Sequence, residues 1–125
     1  MQTTEITTEL MVDEMQKSLD FYTDLLGFKI VTAVPEENPF FAIIKNGTVE
    51  IMFYERKAFV EEIPDFDKQK LGGTIALYMG IKNLKAEYER VKNQVEIIQN
   101  LHKTDYGTEE FSFYDCNGYV LMMHS

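Results

Sequence analysis

The sequence predicts an α+β fold made of two similar strand–helix–strands units, and three observations predict it. A strand-then-helix pattern near the N-terminus returns at a constant offset: Leu10 to Met79 and Val12 to Ile81 are both 69 residues. Each copy leads to apolar runs joined at an Asn-Gly pair, Asn46-Gly47 and Asn117-Gly118, and the two glycines lie 71 residues apart. The apolar spacing switches from alternation to helical period at the same place in both copies. Two such units facing each other would enclose a cleft, and function would be read from what lines it.

The first strand is expected over residues 5–12. Ile6, Thr8, Leu10 and Val12 fall on one face and Glu5, Thr7, Glu9 and Met11 on the other, because successive side chains of a strand alternate. The first set should pack on a helix. That helix opens with Asp13 as its expected N-cap, with Gln16 three residues on. Met15, Leu19, Tyr22, Leu25 and Leu26 form its apolar stripe. Gly27 supplies the left-handed stop. A strand over 28–34, a turn-rich loop over 35–39, and a hairpin of 40–44 with 48–54 complete the unit. The polar stretch 55–73, with Pro64 and Gly72-Gly73, reads as a connector. The second unit repeats the plan. A strand over 74–81 leads to a helix capped by Asn83, with Leu84, Tyr88 and Val91 inward. A strand over 95–98, a loop over 100–107 and a hairpin over 110–124 follow. One domain, 1–125, is expected: module one 1–56, connector 57–73, module two 74–125.

At 125 residues with 45% hydrophobic content, the chain is long enough for a real core. Twelve Lys and Arg against 21 Asp and Glu give a net charge of −9. That balance argues against nucleic acid, whose affinity comes from cations on phosphates, and against an anionic membrane surface. No run approaches the ~20 apolar residues of a membrane span. The polar start, residues 1–5, lacks the apolar core of a secretory signal. With Cys116 the sole cysteine, no internal disulfide can form, and a reducing cytoplasm is expected. Cys116 reads as a nucleophile or as a small turn residue before Asn117-Gly118; the turn is the simpler reading.

Four segments together resemble the vicinal oxygen chelate superfamily of glyoxalases, bleomycin-resistance proteins and extradiol dioxygenases. They are Leu10-Met11-Val12, the run Ser18-Leu19-Asp20-Phe21-Tyr22, Leu25 to Phe28, and Tyr106 to Phe111 followed by Asp115-Cys116-Asn117-Gly118. The family's terminal Asp-Pro-Asp-Gly stands here with Cys116 and Asn117 at its middle positions. The resemblance covers nearly the whole chain. It implies two βαβββ modules forming curved mixed sheets around a cleft, commonly in a homodimer.

Metal-dependent members hold a divalent ion with four side chains, one His or Gln from the first strand of each module and one Glu from the last strand of each. Carried over, those positions are Thr7 and Ala76, then Ile51 and Met122; a register slip of one in the first module would substitute Glu50. None of the four is a normal ligand. A rearranged site of Glu9, Glu50 and His124 is conceivable. The expectation is therefore no metal and no cofactor, with a divalent metal as the alternative.

The cleft positions then describe a small-molecule pocket. Alternation assigns Thr7, Glu9 and Met11 from one first strand, and Ala76, Tyr78 and Gly80 from the other. Glu50, Met52 and Tyr54 come from one hairpin, and Val120, Met122 and His124 from the second. A mostly apolar and aromatic lining with a few polar groups is usual for such sites. Glu9 could bind a cation or act as a base, or sit at a solvated rim. Tyr54 and Tyr78 could stack on a flat ligand or pack as core aromatics. His102, in the loop before Tyr106-Gly107, could reach the cleft mouth or lie on the surface. Metal-independent ligand binding of the bleomycin-resistance kind leads. A glyoxalase-type lyase or isomerase with an unusual metal site, and a structural or regulatory homodimer with a filled cleft, are the alternatives.

Overall fold

A computed structural model describes all 125 residues. The chain forms two compact units, Met1–Gln69 and Lys70–Ser125. Each is a four-stranded mixed sheet with a helix on one face, so the α+β class and the βαβββ order hold in both. No helix is long and apolar enough to cross a membrane.

In the first unit β1 (Thr8–Val12), β2 (Lys29–Val34), β3 (Phe41–Asn46) and β4 (Val49–Glu55) pair in the order β1-β4-β3-β2. β1 runs parallel to β4, with Leu10 opposite Phe53; β2, β3 and β4 are antiparallel. The strand expected from residue 5 begins only at Thr8, because the ladder with β4 starts there, and Ile6 lies exposed. Helix α1 (Met15–Asp20) continues as a wider, π-helical turn over Phe21–Leu25. It packs Met15, Leu19 and Tyr22 on the face that carries Val12, Ile44 and Phe53, all buried. The Tyr22 ring meets Phe53 and Phe28 edge-on, at 5.0 and 5.7 Å between centroids. Leu25 and Leu26 are only half-buried, because the wider turn rotates them off the stripe that a 3.6-residue period predicts.

Asp13 does not cap α1. Glu14 occupies that position without a side-chain hydrogen bond, while the Asp13 carboxylate takes the Arg56 guanidinium at 2.6 Å. A charge-assisted bond to a fixed cation outcompetes one to a backbone amide. At the other end Gly27 adopts φ +76°, the left-handed stop that the sequence predicts, and Asn46 Nδ2 donates to the Leu26 carbonyl at 3.1 Å. The hairpin residue thus seals the helix end. Within the expected connector, residues Arg56–Glu62 fold as α2, followed by a 3-10 turn at Pro64–Phe66. Phe59 anchors α2, buried against Tyr54 and Phe66 at 5.1 and 4.8 Å. A single anchoring aromatic gives no helical stripe to read from sequence.

The second unit holds β5 (Ala76–Gly80), β6 (Glu96–Lys103), β7 (Glu109–Tyr114) and β8 (Val120–His124) in the order β5-β8-β7-β6. Helix α3 (Leu84–Val91) buries Leu84 and Val91, and its Tyr88 ring lies 5.1 Å from Phe111. Asn83 stands at its N-cap with φ +57° and makes no side-chain cap bond. β6 is longer than expected and absorbs residues 99–103; irregular register at Ile97, Gln99 and His102 breaks the alternation that would have revealed it. In the turn after β7, the Asp115 carboxylate accepts backbone N–H groups of Asn117 and Tyr119 at 2.8 and 2.9 Å. Gly72, at φ +99°, runs so close to this turn that a Cβ would lie 2.6 Å from the Gly118 carbonyl oxygen.

Candidate functional site

Each sheet turns one face to its own helix and one away, and the register fixes which residues share the second face. In the first unit Glu9, Met52 and Ile43 form one row across β1, β4 and β3; Met11, Tyr54 and Phe41 form the next; Glu50 stands opposite Lys45. Glu50 is tied to Lys45 at 3.0 Å. Part of this face is covered by α2. Tyr54 is packed among Phe41 at 5.7 Å, Phe59 at 5.1 Å and Phe40 at 6.3 Å. Glu62, at the end of α2, accepts from the Tyr54 hydroxyl and holds its proton above the ordinary value; burial and the charges of Glu62, Glu9 and Glu61 add to this. Partial burial, and then the Glu62 charge, raise the Glu9 carboxyl above its usual range. Thr7 is half-buried just before β1.

In the second unit the same face carries Tyr78, Met122 and Ser112 in one row, and Gly80, His124 and Glu110 in the next. No helix of this unit packs over these rows. The Tyr78 ring is half exposed and lies against the His124 ring at 4.0 Å. Gly80 leaves room beside it: a Cβ there would already touch His124 Nε2 at 3.5 Å. Ser112 reaches Gln99 at 3.5 Å. His102 does not lie in a loop. It stands in β6 opposite Glu110, with Nδ1 2.8 Å from the Asn100 carbonyl oxygen.

Glu110 is the focus of this face, buried to 3% exposure. Its carboxylate accepts the Tyr78 hydroxyl, the Tyr106 hydroxyl at 3.0 Å and the Thr108 hydroxyl at 3.2 Å. The Tyr78 bond chiefly holds its carboxyl below the usual range; burial opposes the shift, and Tyr106, Thr108 and the His102 charge support it. Both tyrosine hydroxyls hold their protons more firmly in return.

The sequence-predicted residues thus gather in two groups: Glu9, Glu50, Met52 and Tyr54 on one sheet, Tyr78, His102, Met122 and His124 on the other. Ile51 does not join them. It is buried on the helix side, opposite Thr8 and Ile44. The same spacing from each hairpin glycine, Gly47 to Ile51 and Gly118 to Met122, does not give equivalent positions because the turns differ in length: Asn46 pairs with Val49, whereas Tyr114 pairs with Val120. The residue matching Met122 is Met52. Sequence reasoning missed Glu110, Ser112, Phe41, Tyr106 and α2's Phe59 and Glu62. Extending the hairpin pairing from β8 back to β7 would have found Glu110 and Ser112.

The donors at the metal positions of the family this chain resembles are Thr7, Ala76, Met52 and Met122. They offer no imidazole and no carboxylate. Glu50 is held by Lys45, and no group of three or more His, Cys, Asp or Glu side chains gathers at ligating distance. These residues do not fit a divalent ion.

The comparisons with known proteins agree on the architecture. A protein of unknown function from Agrobacterium tumefaciens superposes with a TM-score of 0.80 at 23% identity, covering 99% of this chain and 95% of the other. A glyoxalase/bleomycin resistance protein/dioxygenase from Nocardioides gives 0.81 at 17%, covering 99% and 83%. TioX from Micromonospora sp. ML1 gives 0.73 at 13%, covering 97% and 94%. At these identities the likeness is one of fold. No protein of curated function matches the chain in sequence. The profile of one family matches residues 6–123. The chain belongs to the Glyoxalase/Bleomycin resistance protein/Dioxygenase superfamily.

Proposed function

We propose that this chain is a small-molecule-binding member of its superfamily that works without a metal ion, as a homodimer, with the ligand on the helix-free face of the second sheet. The observation that carries the reading is the Tyr78–His124 pair. A half-exposed aromatic ring backed by an imidazole, with Met122 beside it and a buried carboxylate behind it, is a platform for a flat ligand. Ser112 and Gln99 add hydrogen-bonding groups at its edge. In the first unit α2 and its aromatic neighbours fill much of the matching face.

A thermal-shift screen of aromatic small molecules tests this. At a ligand concentration of 100 Kd, binding stabilises by about 2.7 kcal/mol, a rise of several degrees. The rise is expected in the wild type and not in Tyr78→Ala. A screen without any shift overturns the reading. Elemental analysis of the purified protein tests the metal-free part, and stoichiometric Ni, Zn, Mn or Fe would overturn it. Light scattering on a sizing column tests the dimer.

A glyoxalase-type lyase or isomerase is the second reading. The place of Glu9 favours it: this residue stands opposite Met52 on the face turned away from α1, where partial loss of hydration and the Glu62 charge raise its proton affinity as a general base needs. It predicts solvent-deuterium exchange next to a carbonyl of a bound ligand, lost in Glu9→Gln.

A further inference from the structure

Glu110 is buried to 3% exposure, and a carboxylate so placed is ordinarily paired with a cation. Here it has none. The chain's five ion pairs leave Glu110 out, and the facing β6 residue is His102. Its partners are three neutral hydroxyls, from Tyr78, Tyr106 and Thr108. Oε1 receives all three, while Oε2 receives only Tyr106. The Tyr106 oxygen sits 3.0 Å from both carboxylate oxygens, and a hydroxyl has one proton to give. Two acceptor sites on one edge of the carboxylate are therefore served by a single shared hydrogen.

That edge is where a planar cation with two parallel N–H groups would bind, one to each oxygen. The residue occupying it is poorly anchored. Tyr106 is 70% exposed, in the turn between β6 and β7. The turn is closed independently of Tyr106, by Thr104 N–H to the Thr108 carbonyl at 2.9 Å and by the Thr104 and Thr108 hydroxyls at 2.8 Å. Swinging the Tyr106 side chain outward leaves those bonds intact and uncovers the edge next to the Tyr78–His124 platform.

Building on the reading of this face as the ligand site, we infer that Glu110 sets its specificity, selecting a flat ligand that carries an amidinium or guanidinium group, and that the Tyr106 hydroxyl is a placeholder the ligand displaces. The neutral hydroxyl cage keeps the carboxylate ionised and oriented for the ligand. The ligand's cation supplies the direct ion pair that Glu110 lacks within the chain.

Calorimetric titration of the full chain with benzamidine and with its neutral isostere benzamide tests the inference. Benzamidine should bind roughly tenfold tighter or more, as expected for hydrogen bonds to a charged partner. Glu110→Gln should abolish that preference, and Tyr106→Phe should keep it, because Phe removes the competing hydroxyl without touching the carboxylate. Circular dichroism of each variant checks that the fold is retained. Benzamidine binding no tighter than benzamide overturns the inference, as does a preference that survives in Glu110→Gln; Glu110 is then a tie for the 104–108 turn. If both probes bind equally and both are lost in Tyr78→Ala, the specificity claim falls while the ligand-site reading stands. If neither binds, the inference falls, and the broader aromatic screen decides the reading beneath it.

Discussion

The two sheets match residue for residue on the side that meets the helix and differ on the side that does not. On the helix side Ala42, Ile44, Ile51 and Phe53 correspond to Phe111, Phe113, Leu121 and Met123, and all eight are buried. On the other side the row Glu9–Met52–Ile43 corresponds to Tyr78–Met122–Ser112, and Met11–Tyr54–Phe41 to Gly80–His124–Glu110. Close packing allows a helix-side position only apolar groups of about the right volume. The opposite face has no such demand, so one copy became aromatic and partly covered by α2, and the other became polar, with a half-exposed Tyr78 over a buried Glu110. The difference teaches where to look for function: on the face that packing leaves unconstrained.

The comparison breaks first at the cores if it is wrong. Phe53→Ala and Phe113→Ala should each cost about 3–5 kcal/mol in denaturant unfolding, since each removes a fully buried ring from the equivalent layer. A cost confined to one of them would show that the units are not energetic equals. Phe59→Ala, which unseats α2 from Tyr54, should cost about 3 kcal/mol. It should also expose the first face, read as increased binding of a hydrophobic dye. If dye binding stays unchanged, α2 is not what closes that face.

The turns should separate the units by a smaller margin. Asp115→Ala strips two backbone N–H groups of a buried charged acceptor and should cost about 1.5–3 kcal/mol. Asn46→Ala removes one exposed bond to the helix end and should cost about 0.5–1.5 kcal/mol. Equal losses would contradict the different turn chemistry.

The subtlest contrast is in pH. Glu110 titrates below its ordinary 4.5 in the folded chain. The unfolded chain therefore takes up that proton first as pH falls. The stability Glu110 gives is complete above pH 4.5 and is lost on acidification below it. Glu9 titrates above 4.5 when folded. Its contribution is present below 4.5 and is lost as pH rises through the window just above it. Melting temperatures between about pH 3 and pH 7 should thus shift in opposite senses. Glu110→Gln should lower stability mainly at neutral pH, and Glu9→Gln should raise it slightly there. Parallel profiles would remove the electrostatic distinction between the faces.

Much of this was legible beforehand. The 69-residue offset, the strand parity of Leu10 and Val12, the Tyr22 stripe and the Gly27 stop are local or periodic signals, and local sterics write them into the chain. Residue type at the positions carried over from the family was legible too, since Thr7, Ala76 and Met122 bring neither imidazole nor carboxylate. Asp13 misled, because a distant Arg56, 43 residues on, claimed its carboxylate. His102 misled, because bulges in β6 hide a strand from any period-two reading. The exclusion of Ile51 depended on a turn length that only hydrogen bonding reveals.

The sequence by itself determined the duplicated scaffold and its family, since both follow from hydrophobic period, turn residues and a few fixed glycines. Only the tertiary structure decided that Glu110 lies buried beneath Tyr78 and Tyr106, and that α2 covers Tyr54. Those facts arise from the pairing of Tyr78 with Glu110 across 32 positions and from the seating of one phenyl ring, Phe59, on Tyr54. Such contacts leave no period in the chain. They exist only once the sheet has brought their partners together.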